Sequence, residues 1–127
     1  MIVAIGIDLV EVDRIAEVFK RRGDRFRGRV FTEAEIDYCE KRASRLASYA
    51  ARFAAKEAMM KALGTGWSDG IGWRDIEVIA LGNGRPTVEL HGRALERLRE
   101  IGAIKSHVSL THSGNFAIAQ VVLEGEV

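Results

Sequence analysis

Three side chains in this sequence have the types and spacing to hold a charged phosphate: Asp8, Glu57 and Lys61. Asp8 follows an apolar run, Ile2 to Ile7, and a carboxylate there is costly unless it is paired, hydrogen-bonded or bound to a cation. Two readings of it stand side by side: a metal ligand, or a carboxylate favouring the N-terminus of the helix that follows. Glu57 and Lys61 stand four apart, which puts them on one helical face with Phe53 a turn earlier. As a plain exposed ion pair they would contribute roughly 0.3 kcal/mol. The flanking Phe53, Ala54, Ala58 and Met60 make much of that helix apolar, which argues for partial burial. Two carboxylates from separate elements, with a lysine beside one, outline a magnesium–phosphate site. Magnesium takes oxygen ligands, commonly one or two carboxylates plus water and phosphate, and lysine adds a compact positive charge. With 18 acidic residues in the chain, spacing alone does not select this pair.

His112 stands between Thr111 and Ser113. It either meets a ligand phosphate, moves a proton, or is simply hydrogen-bonded beside a turn. No nucleophile motif accompanies it, so a Ser-His-Asp triad is not indicated. His91, His107 and His112 show no zinc-ligand spacing with Cys39. Cys39 is the one cysteine, so no intrachain disulfide can form, in keeping with a reducing compartment. Lacking a Cys or His at metal spacing, it reads as a half-buried small apolar residue.

These residues need elements to position them. Ile2 to Ile7 reads as a strand buried on both faces. Val12, Ile15, Val18 and Phe19 recur at helical spacing, which predicts a helix over Glu11 to Arg22 capped by Gly23. Thr32 and Glu35 have the spacing of a capping box, with Phe31 and Ile36 as a staple, so a second helix begins at Thr32 and runs to about Arg42. Leu46 to Leu63 is the strongest helix, rich in Ala, Met, Lys and Glu, with Gly64 as its left-handed cap and a loop from there to Gly72. Asp75 to Leu81 and Thr87 to Leu90 pair as a hairpin across Gly82–Pro86. A helix over His91 to Ile101 ends at Gly102, and strands His107 to Leu110 and Phe116 to Leu123 join near Ser113–Asn115. The order predicts an α+β fold, a small and largely antiparallel sheet packed against the long helix. No Gly-rich fingerprint follows the first strand, so a dinucleotide fold is not supported.

A chain of 127 residues fits one domain over residues 1–127, with 47% hydrophobic and 29% charged residues, ordinary for a folded soluble protein. The opening apolar run is too short for a signal peptide or a membrane span, and the expectation is a cytoplasmic protein without a membrane partner. Net charge is only +1, yet seven Lys or Arg between Arg14 and Arg29 face only Glu17 and Asp24, a local charge of +5. A field of that sign favours an acidic partner, in a salt-sensitive way.

Three segments together resemble the holo-acyl-carrier-protein synthase family of 4′-phosphopantetheinyl transferases. They are Gly6-Ile-Asp-Leu-Val-Glu-Val-Asp-Arg-Ile15, Ala51-Arg-Phe-Ala-Ala-Lys-Glu-Ala-Met-Met-Lys-Ala-Leu-Gly-Thr-Gly66, and Ser109-Leu-Thr-His-Ser113 with Phe116 to Val122. Trp73 to Val78 and Gly84 to Gly92 also look like the family, so the match runs nearly end to end. The resemblance implies the fold of that family and transfer of the 4′-phosphopantetheine arm of coenzyme A to a serine of apo-acyl carrier protein. Adenosine 3′,5′-bisphosphate is the other product. It implies Asp8 and Glu57 as Mg2+ ligands, Glu57 and Lys61 as catalytic groups, and Lys61 near the diphosphate. Arg52, Gly64, Thr65 and His112 fall in segments that line the coenzyme A site. Ser113 stands where some members carry an acid, so no catalytic carboxylate is expected there. The base for the serine stays open between Glu57, a metal-held water and a carboxylate of the carrier. Because acyl carrier proteins are acidic and helical, the resemblance also gives Arg14, Arg21, Arg22 and Arg25 a use as the carrier-docking face, and it implies a homotrimer with coenzyme A between neighbouring chains.

Two other readings share parts of this pattern. A different magnesium-dependent phosphoryl or nucleotide enzyme would use the same Asp8, Glu57 and Lys61 without a carrier protein. A nucleic-acid-binding module would use Arg14 to Arg29, but the near-neutral total charge and the lack of a binding motif argue against nucleic acid.

Overall fold

The computed structural model describes the backbone of all 127 residues and the side chains of all but Trp67 and Ser68. The chain runs β1 (Ile2–Glu11), α1 (Val12–Arg22), α2 (Asp24–Val30), α3 (Glu33–Glu40), α4 (Arg45–Leu63), β2 (Ile76–Ala80), β3 (Pro86–Leu90), α5 (Gly92–Glu100), β4 (Ala103–Ser113) and β5 (Phe116–Gly125). Thr32 and Glu35 form the expected capping box at the start of α3, each side chain taking the other's orphan amide. Gly64 ends α4 in the left-handed conformation, φ 75°, and its amide donates to the Met60 and Lys61 carbonyls. One 3-10 turn, Gly66–Asp69, lies within the segment read as loop, and a second, Trp73–Asp75, follows it, so the strand read from Asp75 begins at Ile76.

The strands form two antiparallel sheets rather than one: β1-β5-β4, and the β2-β3 hairpin. β1 runs four residues past Ile7, so Asp8 lies within the strand, opposite Ala119 of β5, and not at its end. Alternate residues of a strand face opposite sides. Gly6 and Val10 of β1, with Ala117, Ala119, Val121 and Leu123 of β5, are buried on the face that packs under α4. α4 answers with Ala51, Ala54, Ala55, Ala58 and Ala62, side chains small enough for strand and helix to come close. The tightest point is Gly6, where a Cβ would lie 1.9 Å from the Ala58 carbonyl oxygen. Only glycine lets β1 lie there, and Asp8 comes two residues later on the same face.

The other face of this sheet corrects the expectation of a strand buried on both sides. Ile5, Ile7 and Leu9 are more than half exposed, and Phe116 and Ile118 of β5 stand beside them in register with Glu11 and Leu9. No described residue covers them. Around the other end of α4 the core is aromatic. Phe19 of α1 meets Tyr49 edge-on at 4.8 Å and Phe26 of α2 at 5.5 Å, while Phe53 stacks on Trp73 at 5.0 Å. Cys39 is fully buried, not half-buried, and burial pushes its thiol up to about 12, which makes it inert. Among the described residues no helix is long and apolar enough to cross a membrane.

Candidate active site

Asp8 and Glu57 come together because β1 lies against α4. Lys61 does not pair with Glu57 along the helix, as four-residue spacing suggests. It reaches across to β1, donating to Asp8 Oδ1 and to the Ile7 carbonyl, each at 2.9 Å. The Asp8 side chain is 17% exposed and the Lys61 side chain 56%, so the lysine has an open end. Asp8 is therefore not a helix-terminal carboxylate, one of its two sequence readings. Burial, and after it the Asp8 carboxylate, push the Glu57 carboxyl up; Lys61 and Arg14 pull it part of the way back. Both acids line a cavity of about 270 Å³ together with Arg14, Val18, Phe26 and Phe53. An acid made costlier by a neighbouring carboxylate, at the wall of a cavity, is an arrangement that could hold a cation. Among the described residues no cluster of three or more His, Cys, Asp or Glu is placed to hold a metal, so the site offers two protein ligands. That set suits an ion that keeps waters and takes phosphate oxygens. Gly64 and Thr65 stand at the end of α4, one turn beyond Lys61.

Arg52 and His112 lie elsewhere. They line a second cavity of about 170 Å³ with Tyr38, Arg42, Ser48 and Pro86, which shares no residue with the first. Arg52 is only 5% exposed and its Nε has no hydrogen-bond partner. Spacing did not single out Tyr38 and Arg42, since their meeting with Arg52 is a tertiary contact between α3 and its C-terminal turn on one side and α4 on the other.

The basic stretch becomes α1 and α2. Arg27 is engaged by Asp24 and Glu40. Arg21, Arg22, Arg25 and Arg29 instead surround a groove of about 430 Å³ floored by Phe26, with no carboxylate of the described residues at ion-pair distance. Phe26 also lines the Asp8–Glu57 cavity, so the groove and the cavity adjoin. Arg14 opens into the acidic cavity rather than into this groove.

The family model for the 4′-phosphopantetheinyl transferase superfamily matches residues 4–121. The chain belongs to that superfamily. A curated relative from Koribacter versatilis, a holo-[acyl-carrier-protein] synthase, is 49% identical over 124 residues, covering 98% of this chain and 99% of the relative. Holo-[acyl-carrier-protein] synthase from Neisseria meningitidis superposes with a TM-score of 0.87 at 34% identity, over 98% of this chain and 99% of that one. The Helicobacter pylori synthase, solved in complex with coenzyme A, has a TM-score of 0.81 at 32% identity, over 94% of this chain and 99% of that one. The superfamily match spans Asp8, all of α4 and His112, so both cavities lie inside the transferase fold.

Proposed function

We propose that this chain is a magnesium-dependent holo-[acyl-carrier-protein] synthase, one cytoplasmic transferase domain over residues 1–127. It moves the 4′-phosphopantetheine group of coenzyme A to a serine hydroxyl of apo-acyl carrier protein for fatty acid biosynthesis, leaving adenosine 3′,5′-bisphosphate. The observation that carries the reading is the meeting of Asp8 from β1 and Glu57 from α4 at one cavity, with Lys61 spanning strand and helix. Asp8 and Glu57 would hold the magnesium ion. When bound, it neutralises charge on the carboxylates and on the diphosphate. Lys61 presents its ammonium beside them, placed to stabilise the departing phosphate. Arg52 and His112 take a phosphate at the nucleotide end, and Gly64 and Thr65 border the bound coenzyme. Incubation with coenzyme A and apo-carrier protein tests the activity. The carrier should gain the mass of the phosphopantetheine arm. No gain, with phosphate released instead, would favour a different phosphoryl enzyme.

The carrier docks on Arg21, Arg22 and Arg25, with Arg14 at the border of the reaction cavity. Supporting this, the arginines of the groove lack acidic partners among the described residues, and the groove adjoins the cavity through Phe26. Exchanging Arg21 and Arg25 for Glu should raise KM for the carrier by about tenfold or more, steeply with falling salt, and leave KM for coenzyme A alone. Unchanged carrier kinetics would remove the groove from the docking surface.

The enzyme is a homotrimer in which neighbouring copies cover the bare face of β1-β5-β4. An apolar face this continuous marks an interaction surface. The two half-sites, which share no residue within one chain, then meet between copies around one coenzyme A. Sedimentation equilibrium should give three times the 14.0 kDa chain mass. A monomer at micromolar concentration would contradict the arrangement.

A further inference from the structure

Among the described residues, four arginines of this chain's helices are answered by carboxylates. Arg27 and Arg45 reach Glu40, while Arg93 and Arg97 reach Glu100. Arg52 and Arg42 are not. Among the described residues neither has a carboxylate at ion-pair distance, and Arg52 is almost wholly buried. A buried guanidinium without an anion is costly to keep. What both arginines touch is an aromatic ring. The Arg52 guanidinium carbon lies 3.9 Å from the centroid of Tyr38, and that of Arg42 lies 4.8 Å from the same centroid.

From this arrangement we propose that Tyr38 is a positioning residue for the anion half of the coenzyme A site. Its ring holds the Arg52 and Arg42 guanidiniums at the second cavity, ready for a phosphate that no carboxylate of the described residues has displaced. This rests on the coenzyme A reading given above. The ring face is negative, so it attracts both cations and offsets part of their mutual repulsion, while leaving their N–H groups free to meet phosphate oxygens. A carboxylate in its place would satisfy the arginines and compete with the ligand. Tyr38 itself is half-buried on α3, and α4 carries Arg52, so the ring also sets the side-chain direction of a residue on a neighbouring helix.

The role belongs to the ring face and not to the hydroxyl, which fixes the test. Adenosine 3′,5′-bisphosphate is titrated calorimetrically into the full chain carrying Tyr38→Phe, Tyr38→Leu or Tyr38→pentafluorophenylalanine. Tyr38→Phe should bind as the wild type does. Tyr38→Leu should bind about tenfold more weakly, the size of one cation–π contact. Tyr38→pentafluorophenylalanine keeps the ring's shape but reverses its charge distribution, so it should lose at least as much while melting like the wild type. KM for coenzyme A should rise by the same factor, and KM for the carrier protein should not. Wild-type affinity in the fluorinated variant, or equal losses in Tyr38→Phe and Tyr38→Leu, would overturn the proposal. A wild-type chain that fails to bind the bisphosphate, or an Arg52→Gln chain that binds it normally, would instead overturn the underlying coenzyme A reading.

Discussion

Asp8→Asn and Glu57→Gln proteins should fold as well as the wild type, or better, and transfer phosphopantetheine about a hundredfold to a thousandfold more slowly. The loss follows from removing one of the two carboxylates that, among the described residues, line the cavity proposed for the reaction. The retained stability follows from electrostatics. Burial and the Asp8 charge already push the Glu57 carboxyl up, so its ionised form costs the fold something. A carboxylate whose folded pKa is raised binds more protons folded than unfolded between its ordinary and its raised value. Stability contributed by that group therefore falls as pH rises through the window and stays lower above it. Glu57→Gln removes this pH-dependent cost, and its advantage in thermal unfolding should grow with pH across the same window. Asp8→Asn also leaves Lys61 without its carboxylate, but that pair is half exposed and contributes little. Mass-shift rates and melting curves on the same preparations check both halves. A variant that keeps full turnover would remove that carboxylate from the chemistry.

The second large effect concerns stability. Lys56, next to Glu57 in sequence, points the other way and is completely buried against the equally buried Glu35, Nζ to Oε1 at 2.9 Å. The Lys56 ammonium also donates to the carbonyls of Trp73 and Ile76. Glu35 accepts from the backbone amides of Thr32 and Val78, each at 2.8 Å. One ion pair thus ties α3, α4 and the start of β2. Glu35→Gln should cost about 3–5 kcal/mol, because it leaves an ammonium buried without its anion. The Glu35→Gln, Lys56→Met double variant should cost clearly less than the Glu35→Gln single, since no charge is stranded. Desolvation already lowers the Lys56 pKa, with Glu35 opposing it. Without Glu35 the amine falls further. Between that lowered value and the ordinary lysine value the unfolded chain binds the extra proton, so the Glu35→Gln protein should regain stability as pH rises. Denaturant unfolding across pH measures this. Equal losses in the single and double variants would mean that the pair's charge is not what holds these elements together. Trp73 stacks on Phe53, which lines the Asp8–Glu57 cavity, so the pair also steadies one wall of that cavity.

Local signals in the sequence were enough for several elements. The Thr32–Glu35 box, the Gly64 cap and the Gly82–Pro86 turn each act over a few residues, and each stands where spacing puts it. What spacing missed depends on contacts between elements. Ile5 and Ile7 look like core because a face awaiting another surface has the same composition as a buried one. α2 carries no clear apolar period in Asp24-Arg-Phe-Arg-Gly-Arg-Val30, and contacts with other elements fix it: Phe26 with Phe19 and Phe53, and Arg27 with Glu40. β4 begins at Ala103, four residues before the segment read as strand, because pairing with β5 overrides its mixed pattern. In the site, Asp8 and Glu57 were legible as candidates. Lys61 was legible only in part, since its partner is on β1 and not one turn along its own helix. Arg52 and His112 do share a cavity, but it is not the one that holds the acids. The neighbouring Lys56 gives no sequence hint that it serves the core and not the site.

Divalent-ion binding to the full chain in the presence of coenzyme A, followed by calorimetry with Mg2+ and by the paramagnetic signal of Mn2+, reaches the joint grip of the two acids without relying on turnover. The wild type should take one ion per coenzyme A, and affinity should fall by at least about tenfold in Asp8→Asn and again in Glu57→Gln. If either variant binds the ion as tightly as the wild type, strand and helix do not share a cation and the proposed site is wrong.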